Sequence, residues 1–311
     1  MNLTDPIFHD LDKAREWLEA QRWPDGPICP HCGNSDPDKI GGLEGEAHRK
    51  GLYKCYECRE QFTVQVGSVM ERSHIPLTKW ALAMFLMASS KKSMSARQVA
   101  RMMEIPVKTA WFLCHRIREA MKPATRGPLG GEGKIVEADE TYIGGKETNK
   151  HISKRKKGNL GGKGKMVVFA LVERDGLSHS FRVASVTGEM LRPLIVTHVN
   201  RKSALMTDMG GQYFHVGKEF ARHETVNHGA DEYVRGDAHT NTMECRFSLM
   251  KRAVYGTHHS ISEAHLHRYL VEWDFKFNTR KVSDTARTAL IVKQAEGRRL
   301  MYQRPKQAAN A

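Results

Sequence analysis

Lys134-Ile135-Val136-Glu137-Ala138-Asp139-Glu140-Thr141-Tyr142-Ile143-Gly144-Gly145 alternates like a β-strand and then breaks on two glycines. Ile135 and Glu137 fall on one side of such a strand, Val136 and Ala138 on the other. An acid at the end of this strand is costly to bury alone, so Asp139 requires solvent or a cation. Glu140 belongs to the opposite face and is not counted as a ligand.

Downstream, 165–173 and 180–186 read as strands around the hairpin signal Arg174-Asp175-Gly176. A helical or loop crossover over 187–199 leads to 203–208, a second apolar strand ending in an acid, Asp208. The pattern predicts a mixed sheet flanked by helices. Read as a helix, 239–252 buries Met243, Phe247, Met250 and Val254 in one stripe and sets Glu244, Ser248 and Lys251 in a second. One helix thus offers a carboxylate and an ammonium to the same place. Asp139, Asp208 and Glu244 suffice for a site with two divalent ions, Mg2+ or Mn2+. The chain has 35 acidic residues, so solvated or capping carboxylates are the competing reading.

Upstream, four of six cysteines form two pairs of equal spacing, Cys29-Pro30-His31-Cys32 and Cys55-Tyr56-Glu57-Cys58. Two such knuckles bring four thiolates to a structural zinc ion; buried or redox thiols are the alternative. Ser95-Ala96-Arg97-Gln98 has the form of a capping box opening a helix with Val99, Met102 and Met103 as core residues. Glu104-Ile105-Pro106 ends it, and 107–121 is a second helix with Ala110, Cys114, Ile117 and Met121 inside. Two helices on a tight turn predict a helix-turn-helix with Lys108, Thr109, Phe112 and Arg116 facing a DNA groove. A helical linker bundle with a solvated basic face competes with it.

Charge supports a polyanionic partner. The formal net charge is +14 and the pI near 9.5. Residues 1–60 carry 8 basic and 12 acidic side chains, whereas 61–126 carry 11 and 3, so the excess begins after the cysteines. The loop 146–165, with Lys154, Arg155, Lys156 and Lys157, is read as a phosphate clamp or equally as a solvated insertion. The longest apolar run, 80–88, is too short to span a bilayer. With no basic and apolar leader at 1–10, a soluble, cytoplasmic protein is the expectation.

Several of these segments together resemble the DDE transposases of bacterial insertion sequences, in the subgroup with a zinc ribbon and helix-turn-helix ahead of a ribonuclease-H-like catalytic domain. The carriers are the two cysteine knuckles with Gln61-Phe62, Ile75-Pro76-Leu77 with Lys79-Trp80, and 136–146. Thr207-Asp208, His239-Thr240-Asn241-Thr242-Met243-Glu244 with Lys251-Arg252, and Gly256-Thr257-His258-His259 complete them, over about residues 25–282. Cys245-Arg246-Phe247 departs from the serine and aromatic pair expected there. The resemblance implies Asp139, Asp208 and Glu244 as metal-binding triad, Lys251 as its basic companion and Arg252 as a DNA contact. The 35 residues between Asp208 and Glu244 match the usual spacing.

It further implies cleavage at the element's 3′ ends and strand transfer into target DNA, by a homo-oligomer on paired terminal inverted repeats of double-stranded DNA. A DNA-binding regulator, or a ribonuclease-H-like nuclease without strand transfer, is the alternative. The expected organisation is a multidomain α+β chain. It has a zinc ribbon with N-terminal helix at 1–70, a helix-turn-helix at 71–125, a catalytic domain at 126–285 and a basic tail at 286–311.

Overall fold

Asp10 accepts the backbone N–H groups of Asp12 and Lys13 and so caps α1 (Leu11–Arg22), which buries Ala14 and Leu18. In the computed structural model, residues 1–145, 151–155, 164–230, 232 and 234–301 are described. They divide into two compact units. One gathers residues 1–90, 94–122 and the segment from 282 onward, and the other holds 91–93 and 123–281.

In the first unit, β1 (Ile40–Gly42), β2 (Tyr53–Cys55) and β3 (Gln61–Phe62) pair antiparallel in that order. The rings of Trp23, Tyr53 and Phe62 meet at 5.6 to 5.8 Å and give this small sheet an aromatic core. Next comes α2 (Leu77–Ser89), burying Trp80, Met84 and Met87. The Ser95 hydroxyl accepts the N–H of Gln98 and opens α3 (Ala96–Met103), as the capping pattern predicts. Glu104, at φ 50°, ends it, and Pro106 precedes α4 (Val107–Ala120). This three-residue connection is the spacing of a helix-turn-helix.

Two expectations fail here. Met102 is 48% exposed, outside the core. Arg116 does not face outward. It is buried, donates to the carbonyl of Glu71, and lies over the rings of Trp80 and Phe112 at 5.3 and 5.6 Å. Helix α4 packs on α2, and Arg116 meets Trp80 there, so this position lies in the core although Lys108 at the start of the helix is exposed.

The second unit is built on five strands. They are β4 (Ile135–Ile143), β5 (Met166–Glu173), β6 (Ser178–Val183), β7 (Ala204–Asp208) and β8 (Arg222–Val226), in the order β6-β5-β4-β7-β8. The first three are antiparallel, while β7 lies parallel to β4 and β8 parallel to β7. The crossover is α5 (Gly188–His198), and the one-turn α6 (Phe214–Gly217) precedes β8. After β8 come α7 (Asn241–Ala253) and α8 (Leu266–Asn278).

Val136, Ala138, Phe169 and Leu171 pack with Leu191, Ile195 and Tyr213 on one face of the sheet. On the other, Val168, Ala170 and Val172 pack with Met243, Phe247, Met250, Leu270 and Trp273. A mixed sheet in this order, covered on both faces by helices, is the ribonuclease-H-like arrangement. Strand β8 escapes sequence reading because Arg222-His223-Glu224-Thr225-Val226 is mostly polar, which an edge strand tolerates.

Where a basic tail is expected, residues from 284 form a helix, α9 (Asp284–Lys293). It is capped by Ser283, packed on α1, α2 and α4, and buries Thr288, Ile291 and Val292. Among the described residues no helix is long and apolar enough to cross a membrane.

Candidate active site and metal centre

Cys29 and Cys32 precede β1, Cys55 ends β2, and Cys58 lies in the turn to β3. The sulfurs of Cys29 and Cys58 are 3.6 Å apart and those of Cys32 and Cys55 3.7 Å, with all four within 4.8 Å of one another. Zn–S bonds of about 2.3 Å in a tetrahedron give edges of about 3.8 Å. The donors therefore fit a structural zinc ion, and none is in a disulfide. The backbone N–H of Cys58 is first among the groups that draw the Cys55 thiol down to about 6, while, against the backbone N–H of Glu60, burial and the neighbouring thiols push Cys58 up to about 12, so the four thiols share protons unevenly.

In the second unit the register sets two acids level. Strand β4 pairs with β7 through Ile135 and Ala204, Val136 and Leu205, Glu137 and Met206. Two residues beyond the last pair stand Asp139 and Asp208, at the carboxyl end of β7 and level with it on β4. Burial, and then the negative charge of Glu140, Asp208 and Glu244, push the Asp139 carboxyl up to about 7. Its Oδ1 accepts the N–H of Glu140 at 2.7 Å, and Asp208 Oδ1 accepts that of Gly210 at 3.0 Å. Among the described residues the cysteine quartet is the one tight donor cluster; the carboxylates are not drawn so close.

Helix α7 supplies the rest. Met243, Phe247 and Met250 are buried, as is Val254 just past its end, while Glu244, Ser248 and Lys251 line a groove of about 840 Å3 together with Asp139. Glu140 reaches the groove rim, but its carboxylate is engaged on the other face, accepting from the Tyr213 hydroxyl and from Gln212 Nε2 at 3.1 Å. Asp208 is not in the lining and acts on Asp139 through its charge.

Of the expected DNA contacts, Arg252 is exposed and lines the groove, Lys108 is exposed, and Thr109 is half-buried. Arg155 is exposed; the Lys154 side chain, Lys156 and Lys157 lie outside the described residues. Lys92 and Tyr255 line the groove without having been singled out in the sequence. Lys92 lies between α2 and α3, and only its charge could have marked it.

Residues 128–278 match the ISXO2-like transposase domain, and residues 10–61 match the transposase zinc-ribbon domain. An uncharacterized protein in transposable element ISH50 of Halobacterium salinarum is 29% identical over 271 residues, covering 83% of this chain and 87% of that protein. The two matched domains occur in the order in which the cysteine cluster and the acidic groove are laid out, and residues 128–278 are similar to an ISXO2-like transposase domain.

Proposed function

We propose that this protein is a transposase that cleaves the 3′ ends of an insertion element and transfers them into target DNA, with Asp139, Asp208 and Glu244 as its catalytic acids. The observation that carries the reading is the half-buried Asp139 carboxyl, which feels the charges of Asp208 and Glu244 and lines a groove with Glu244 and Lys251. An Asp139 carboxyl whose proton affinity is raised by burial and by neighbouring acids suits hard divalent cations, Mg2+ or Mn2+. Asp139, Asp208 and Glu244 would hold such ions, which would supply activation of water or a 3′-hydroxyl and stabilisation of the leaving oxygen.

The chain's own groups orient the DNA. Lys251 lies two turns along α7 from Glu244 and offers a point charge to the phosphate being cut, and Arg252 extends that charge along the groove. Lys108 and Thr109 at the start of α4 contact the terminal inverted repeats, with Arg155 and the adjoining basic loop on the phosphates. A zinc ribbon at 1–70, helix-turn-helix at 71–125 and catalytic domain at 126–285 then divide the work. Pairing two ends calls for a homo-oligomer on double-stranded DNA, and a DNA substrate puts the protein in the cytoplasm.

The test is a Mg2+-dependent assay on terminal-repeat DNA that resolves nicked from joined products. Asp139→Asn should lower both reactions by more than about 100-fold with end binding retained. Hydrolysed but never joined products from the unaltered chain would replace strand transfer by simple nuclease activity. No cleavage at all would favour a regulator.

A further inference from the structure

Glu137 stands two residues before Asp139 on the same face of β4 and has no solvent exposure. A carboxylate so buried needs partners for both oxygens. Oε1 accepts from Arg174 Nε at 2.7 Å, and Oε2 accepts the backbone N–H of Met243 at 2.8 Å. Met243 is in the first turn of α7, where N–H groups have no partner within the helix. Thr240, the residue at the cap position, makes no side-chain capping bond. The cap comes from a strand more than 100 residues away in sequence.

Arg174 extends the tie. Its Nη1 donates to the carbonyl of Asp237 and its Nη2 to that of His239, both at 2.8 Å, so it holds the strap that enters α7. His239 Nδ1 in turn lies 3.5 Å from Glu137 Oε1.

We propose that Glu137 is a positioning residue, which with Arg174 sets Glu244 against Asp139. Glu244 follows Met243 directly, and Asp139 follows Glu137 by one strand repeat, so a single hydrogen bond between strand and helix fixes the spacing of the two acids. The packing of Met243 and Phe247 is apolar and resists sliding weakly, whereas positioned chemistry loses heavily from a shift of about 1 Å. The inference rests on the proposed role of Asp139 and Glu244 in holding divalent cations. A merely structural buried ion pair would matter for stability alone.

The test uses the full chain with Mn2+ alone as probe, read by electron paramagnetic resonance, beside amide exchange at Met243 and Glu244. The double variant Glu137→Leu with Arg174→Met removes both charges and orphans neither. It should keep terminal-repeat binding, exchange those two amides faster, and lose about 10- to 100-fold in Mn2+ affinity and in cleavage. Glu137→Gln keeps the side-chain shape but sets its amide against one of the two donors, and should fall between. A folded double variant with unaltered Mn2+ affinity overturns the proposal. If the double variant does not fold, an unaltered Glu137→Gln does the same. Should the unaltered chain neither bind Mn2+ nor cut terminal-repeat DNA, the functional reading fails instead.

Discussion

The hydroxyl of Tyr213 donates to the carboxylate of Glu140 at 2.5 Å, on the opposite face of β4 from Asp139. The phenol is fully buried, and burial holds its pKa well above the ordinary value. It thus stays a donor. Tyr213→Phe removes a hydrogen bond to a charged acceptor, worth about 1.5–3 kcal/mol. Because Gln212 still donates to Glu140, the lower end is expected. Urea unfolding of the variant measures the loss, and cleavage should stay within about tenfold because Glu140 is not a proposed ligand.

Stability should also depend on His179. Burial comes first in bringing its pKa down to about 4; Asp274 opposes, while Arg126, His198 and Arg246 add to the fall. The native value is below the unfolded value of about 6.5, so the unfolded chain takes the proton first. The stability this neutral imidazole contributes is complete above pH 6.5 and is lost as pH falls toward 4, by on the order of 3 kcal/mol. Urea titrations at pH 7 and 4.5 should find the loss reduced in His179→Asn, and an unchanged pH dependence would refute it.

Lys108 and Arg116 separate binding from folding. Lys108→Ala should lower the melting temperature far less than Arg116→Ala, weaken DNA binding, and lower the slope of log affinity against log salt by about 0.9. Arg116→Ala should cost about 2 kcal/mol or more through lost packing and an orphaned carbonyl. Burial has already drawn its pKa down to about 10, which marks a guanidinium set into the core. Salt-dependent binding curves and thermal melts on both variants distinguish the two roles.

Zinc removal should unfold the cysteine module. Its three strands have two or three residues each, so the free energy of metal binding is its folding free energy. Metal analysis should give about one zinc per chain. Cys55→Ser or a strong chelator should abolish it, while the second unit keeps its melting transition.

Strands β4, β5 and β7 were legible because apolar alternation or runs end in turn residues or acids, and α7 because its buried stripe has helical period. The cysteine cluster was legible from spacing alone. The rest depended on contacts between distant segments. Arg116 looks solvated on a helical wheel, which contains no neighbouring helix, and Glu137 reads as one more strand residue because its two partners lie 37 and 106 residues downstream. The expected basic tail begins at 286, yet Ile291 and Val292 sit in a core built with the N-terminal helices.

Helix α9 gives the chain an order of assembly. The segment from 282 onward is made only after residues 123–281, yet it completes the unit begun by residues 1–90 and 94–122. At about 5–20 residues per second, the cysteine module and its helices wait about 8–30 s on the ribosome with the α9 surface bare. A gene copy cut short before codon 282 never supplies that helix. Such a remnant leaves the surfaces of α1, α2 and α4 that α9 covers open to water, so it does not readily persist as a stably folded first unit.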